Sequence, residues 1–479
     1  MPRSDNSNMD SLLLRALNRL KSDRRISGFY QIPFELEFSL ADFENWLGPI
    51  QVQLKDGTYI PAMACPLNTP KPKWHIRPAS LLSINDLLVY HCLALSCLPN
   101  VKQYLEWSES KIRFSHKLLD EDKKQWFSGT FSGWDMFRKR SIEILDSGYQ
   151  YVLITDIAGY YENIDIRRLI RELRVLGIDN TTLETLSLCL NKWSEPRGRG
   201  IPQGFSPSDM FAELYLDTLD RHLHSEEFIH LRYMDDIRIF AEDETKARKA
   251  LHALTIHLRE RGLNLQTAKT EILLAEQAKS KINRIPQIIE KVSAELAEEL
   301  SQIEGIDDPY WPSVEEQIEE LEKTNPDSPS IEVIHQAWGD FINGKLGEFN
   351  KTLFHFLMKR TTGSIGKDFV IDIILKQPEE TQECLNYLRR TQSLLKQDDI
   401  NHIASILNHP ACLYDYQRYQ ILKWFYDNEI QNDQALSYCR RQIQNSSADV
   451  LCRSYSYAYL GFFAKPHDYE VLQAAYIKT

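Results

Sequence analysis

The sequence predicts an α+β fold, a ferredoxin-like β-α-β-β-α-β unit in the first half followed by an all-α helical region. Three observations predict it. Between residues 148 and 275, runs rich in β-branched and aromatic residues alternate with helical periods in that order. Beyond about residue 285 the strand-like runs stop, and helix-like stretches separated by polar turns take over. At 479 residues the chain also exceeds what one hydrophobic core organises, so two or three domains are expected.

The elements follow in chain order. A helix is expected from Asp10 or Ser11, with Leu12, Leu13, Ala16, Leu17 and Leu20 on one face. The Pro-rich basic stretch 66–78 is expected to be a loop, and Ser83 to cap an apolar helix running to about Leu98. GYQYVLITDI is a strand by its Tyr, Val, Leu and Ile content. Residues 164–175, 180–193 and 206–224 have helical periods. EFIHLRY and DIRIFAE, joined by Met234 and Asp235, predict a hairpin; 244–262 is again helical, and LNLQTAKTEILLA is extended. Past an acidic stretch and a break at NPDSPS (325–330), residues 331–479 fit either an irregular α-solenoid with HEAT-like repeats or a compact helical bundle.

Composition narrows the class of function. No apolar run reaches the roughly eighteen residues that cross a bilayer, and the polar start MPRSDNSNMD has no signal core, so a cytoplasmic protein without membrane contact is expected. Eight cysteines without a Cys-x-x-Cys pair fit reduced thiols and argue against a structural zinc site. The net charge of −12 is awkward for a nucleic-acid partner, but the charge is unevenly placed. Residues 290–323 hold twelve acidic and two basic side chains, whereas Arg138, Lys139, Arg140, Arg167, Arg168, Arg171, Arg174, Arg197 and Arg199 enrich the part before them.

The chemistry is carried by carboxylates. Asp156 closes the first strand of the unit and Asp235 and Asp236 lie in its hairpin turn, so the fold brings all three to one sheet edge. Such a set suits hard divalent cations, which demand oxygen ligands, and two such ions can activate a hydroxyl and neutralise a transferring phosphate. An Asp-Asp pair taken alone more often just makes a turn.

Four ordered segments resemble the motifs of reverse transcriptases. They are ITDIAGYYENID (154–165), with an aromatic residue five positions after the Asp; GIPQGFSPSDMFAELYL (200–216), a Pro-Gln-Gly turn leading into a helix; the Tyr-x-Asp-Asp hairpin RYMDDIRIF (232–240); and GLNLQTAKTEIL (262–273). KPKWHIRPASLLSINDLLVYH (71–91) is similar to the family's fingers segment. The resemblance, over about residues 60–280, implies fingers and a ferredoxin-like palm within 1–285, an acidic connector or thumb-like segment at 286–330, and a helical-repeat domain at 331–479.

It also implies roles. Asp156, Asp235 and Asp236 would be catalytic and, with the Ile157 backbone carbonyl, would hold two Mg2+ ions, for which Mn2+ could substitute. Lys73 and Arg77 would contact the incoming dNTP triphosphate, Tyr160, Gln203 and Gly204 would border the nucleotide, and Lys269 would face the leaving pyrophosphate. Tyr161 would exclude a 2′ hydroxyl, its alternative being an ordinary buried palm aromatic. Where many relatives have Ser-Pro at the start of the second-motif helix, this chain has Ser208-Asp209.

The acidic, helical second half is most similar to bacterial defence-associated, abortive-infection reverse transcriptases of the "unknown group". That resemblance implies antiphage DNA synthesis on an RNA template, such as a noncoding RNA, or without a template, and in some members homo-oligomers and a tyrosine primer. Candidate priming residues are Tyr414, Tyr416, Tyr419, Tyr455, Tyr457 and Tyr459. Two alternatives stay open: a non-templated, protein-primed terminal transferase, and a catalytically idle scaffold that binds RNA or protein.

Overall fold

The computed structural model describes residues 4–23, 35–128, 130–194, 198–282, 331–345, 349–361 and 365–478. The connector expected at 286–330, like Arg197, lies outside them. The described residues fall into two compact units, one holding 4–23, 35–65 and 80–282, the other 66–79 and those from 331 onward.

The first unit is built on a four-stranded sheet ordered β4-β5-β3-β6, from β3 (Tyr151–Thr155), β4 (Ile229–Tyr233), β5 (Asp236–Ala241) and β6 (Glu271–Leu274). All three pairings are antiparallel, which is the ferredoxin-like arrangement the sequence predicts. The helices Ser206–Ser225 and Glu244–Glu260 pack on the sheet, against β4 and against β3 and β5 respectively, and Thr130–Asp146 packs on β4 and β5. Helices on both faces explain why β5 is buried along nearly its whole length instead of alternating.

Two of the helices outside the sheet pack on each other. Ser4–Ser22 starts earlier than expected and packs on Ile84–Leu105 through Leu13, Ala16, Leu17 and Leu20. Ser83 does cap the second of these, its hydroxyl accepting from Asp86 N at 3.2 Å, and the helix runs past Leu98 with Pro99 inside it.

In the second unit, the segment expected to be a loop is a hairpin of β1 (Cys65–Lys71) and β2 (His75–Leu81) around Pro72–Trp74. Its prolines disguised it, yet proline is tolerated in a two-stranded ribbon, where every strand is an edge. The helices stack in two layers. Lys351–Arg360, Thr381–Arg390, Asp415–Asp427 and Val450–Phe462 pack successively in one, and Lys367–Lys376, Gln397–Ile406, Asp433–Gln444 and Pro466–Lys478 in the other. Contact with the next helix and the next but one is solenoid packing, not that of a closed bundle.

Candidate active site

Asp156 follows Thr155, whose register partner across the β3–β5 pair is Ile237, so the next positions in that register set Asp156 opposite Asp236. Cross-strand partners have Cα atoms about 4.5–5.5 Å apart and side chains on one face, here the face shared by Ile154, Arg238 and Phe240. Beyond the strand the backbone stays tied. Asp156 O accepts from Gln266 N at 2.7 Å and Ala158 N donates to Asn264 O at 2.8 Å. Because those two groups point to the 264–266 side, the alternation of an antiparallel ladder aims the Ile157 carbonyl the other way, toward the β5 side.

Tyr233 pairs with Asp236, leaving Met234 and Asp235 as a two-residue turn. Met234 has φ 52°, a left-handed value that such turns normally give to glycine or asparagine.

Lys269 reports how the acids converge. Its Nζ donates to Asp156 Oδ2 at 2.5 Å. Burial would lower its pKa, but that hydrogen bond and the field of Asp156, Asp236 and Asp235 outweigh it and raise the pKa above the ordinary lysine value. Asp156 Oδ1 is buried without a hydrogen-bond partner. Among the described residues no three His, Cys, Asp or Glu side chains are already closed around an ion position. The donors nevertheless fit a hard divalent cation: they are carboxylate oxygens, one is orphaned, and the positive charge now beside them sits on a side chain 66% exposed and therefore able to leave.

The second motif is tied to the segment after Asp156, Ile201 N donating to Tyr161 O at 3.0 Å. Gly204 has φ 96°, which a residue with a Cβ rarely adopts, and precedes Phe205, the N-cap of Ser206–Ser225; Gln203 is half-buried beside it. Tyr160 and Tyr161 are both buried. Tyr160 donates to Ala212 O, and Tyr161 donates to Asp209 Oδ1 at 2.6 Å. The departure from the Ser-Pro pattern thus places a fully buried carboxylate on the hydroxyl of Tyr161.

Lys73 and Arg77 lie on the β1–β2 hairpin in the second unit, Lys73 exposed at the tip and Arg77 half-buried. Lys73 and Trp74 are both left-handed, with φ 60° and 64°. The late tyrosines are mostly packing residues: Tyr414, Tyr416, Tyr419, Tyr455 and Tyr459 are buried and Tyr457 is half-buried. Tyr414 donates to Trp74 O, Tyr416 to Gln382 Oε1 and Tyr459 to Ile430 O, while Tyr419 accepts from Gln420.

Residues 70–305 match the family model described as reverse transcriptase (RNA-dependent DNA polymerase). Over those residues the chain is similar to a reverse-transcriptase domain. Among solved structures, it is similar to apo telomerase from Candida tropicalis, at 12% identity and a TM-score of 0.34 over 90% of this chain and 74% of that one. It is also similar to telomerase from Candida albicans in complex with the TWJ fragment of telomeric RNA, at 13% identity and a TM-score of 0.33 over 89% and 70%. No curated protein matches the chain significantly.

The matched stretch holds a buried polar network that no sequence motif marks. Asp209, Glu213, Asp217 and Asp220, all on Ser206–Ser225, have no exposed surface. Glu213 Oε2 accepts from Arg232 Nη1 at 2.8 Å, and Asp220 accepts from Arg232 Nε and Nη2 at 3.0 and 2.7 Å. Asp217 takes Trp107 Nε1 and Arg221 Nε, both at 2.6 Å. The signal was present: acids at 209, 213, 217 and 220 repeat at helical spacing within an otherwise apolar run, which is odd for a helix covering a sheet.

Proposed function

We propose that the chain is a DNA polymerase of the reverse-transcriptase type, extending a 3′ end with deoxynucleotides at Asp156, Asp235 and Asp236. The single observation that carries this reading is the Lys269 ammonium held on Asp156 and in the joint field of Asp235 and Asp236, a cation where a polymerase needs positive charge.

Asp156, Asp235 and the Ile157 carbonyl would hold two Mg2+ ions, with Asp236 in support and Mn2+ as a substitute. When bound, the ions lower the pKa of the attacking hydroxyl and neutralise charge on the transferring phosphate. The chain's own groups do the rest. Lys269, released from Asp156, is free to neutralise charge on the leaving pyrophosphate. Tyr161 holds its ring fixed through Asp209 and excludes a 2′ hydroxyl. Gly204 lets the nucleotide approach the backbone, and Gln203 and Tyr160 border it.

The biological reading is antiphage defence in the bacterial cytoplasm, with an RNA template such as a noncoding RNA and with the helical unit serving recognition or self-assembly. Incorporation of labelled dNTPs by the full-length protein with Mg2+ tests the chemistry, and sequencing the product identifies any template. Asp235→Asn and Asp236→Asn should each lower synthesis by a hundredfold or more, on the order of the effects seen when a transition-state charge partner is removed. Undiminished synthesis in both variants would end the proposal.

A further inference from the structure

We infer that Glu213 is a positioning residue for the catalytic turn, holding Met234 in its left-handed conformation through Ser115 and Arg232 so that Asp235 and Asp236 are presented to the metals. The inference rests on the metal-site reading above and adds to it a device behind the site.

Each backbone group of Met234 lies one residue away from one Glu213 oxygen. Met234 N donates to Ser115 Oγ at 2.9 Å, and Ser115 donates its own hydroxyl proton to Glu213 Oε1. A serine has a single proton to give, so committing it to Glu213 leaves Oγ to accept from Met234. On the other side, Arg232 Nη1 reaches both Met234 O at 3.0 Å and Glu213 Oε2 at 2.8 Å. His116 fills the remaining gap, with Nδ1 at 2.7 Å from Met234 Sδ and 3.4 Å from Glu213 Oε1. Asp220 takes the rest of the Arg232 guanidinium, which fixes its plane.

The arrangement explains two features together. Met234 stands in a conformation disfavoured for a side-chain-bearing residue, and such strain persists only where the surroundings over-determine it. A buried carboxylate and guanidinium alone could be explained as an ion pair of the core, but that would not require both peptide groups of the one strained residue to be joined to it. The clamp joins the strained residue to the next two positions, which are the acids that would bind metal.

The test measures Mn2+ binding to the full-length protein by electron paramagnetic resonance, independently of DNA synthesis. Ser115→Ala removes one neutral hydroxyl and leaves the Glu213–Arg232 pair intact; it should weaken Mn2+ affinity by about three- to tenfold, the equivalent of one hydrogen bond. Glycine takes a positive φ without strain, so adding Met234→Gly to Ser115→Ala should recover part of that loss. Wild-type Mn2+ affinity in Ser115→Ala overturns the inference, as does a loss that Met234→Gly leaves unchanged. Should Asp235→Asn bind Mn2+ as wild type does, the metal-site reading itself falls and takes this inference with it. If Asp235→Asn abolishes binding while Ser115→Ala is normal, only the clamp is refuted.

Discussion

Glu213 keeps a full charge with no exposed surface because Arg232 faces it. Burial alone would raise its pKa; Arg232, with the His116 hydrogen bond and Arg113, more than reverses this and brings it down from 4.5 to about 2. A carboxylate whose folded pKa is depressed stabilises the fold fully above its unfolded value, and that contribution is lost as pH falls from about 4.5 through about 2. The shift corresponds to about 3 kcal/mol at pH 7. Glu213→Gln has no such proton to gain, so urea midpoints should show wild type well above the variant at pH 6 and the gap narrowing by pH 3. A gap that stays constant over that range would show that the pair does not govern acid stability. None of this was legible in the sequence beyond the helical spacing of the acids. The partners Ser115 and His116 lie about a hundred residues from Glu213 in the chain, and only the closed fold brings them to it.

At the scale of elements, strands and helices with clean periods were legible, down to the hairpin whose turn holds Met234 and Asp235. The β1–β2 hairpin was not, because its prolines imitate a loop. Charge runs were legible as charge but not as available charge. Arg138 and Lys139 both pair with Asp135, at 3.1 and 2.5 Å, and Arg140 pairs with Glu143 at 2.9 Å, so that basic run is largely neutralised on its own helix. On the Ile166–Val175 helix, Arg167, Arg171 and Arg174 are exposed at i, i+4 and i+7 on one face, and none forms an ion pair among the described residues. For the proposed RNA partner, the second run is therefore the one expected to meet phosphate. Converting Arg167, Arg171 and Arg174 to Glu should weaken binding of single-stranded RNA and flatten its salt dependence, the slope of log K against log salt falling by roughly 0.7 for each phosphate no longer neutralised. Arg140→Glu should leave both unchanged. An unaltered slope in the triple variant would remove this face from the binding surface.

For the whole molecule, the informative feature is that residues 66–79, inserted in the sequence of the first unit, pack with the helices of the second. Pro72–Trp74 lies against Pro378–Glu380, and Tyr414, one of the residues singled out as a primer candidate, spends its hydroxyl on Trp74 O at 3.0 Å. Burial also raises the Tyr414 pKa, which disfavours the phenolate a nucleophile would need. A two-stranded hairpin is marginally stable in water by itself, and this one carries two consecutive left-handed residues at its tip. Its order is therefore expected to depend on the solenoid. Tyr414→Phe removes a single hydrogen bond, of about 1 kcal/mol, and should speed amide hydrogen exchange across 66–79 about fivefold while leaving β3 to β5 as protected as before. Removing residues 331–479 should raise exchange in the hairpin much further, to the level of an unstructured peptide. Full protection of 66–79 in that truncated chain would show that the hairpin stands on its own, and that the helical unit is not what orders Lys73 and Arg77.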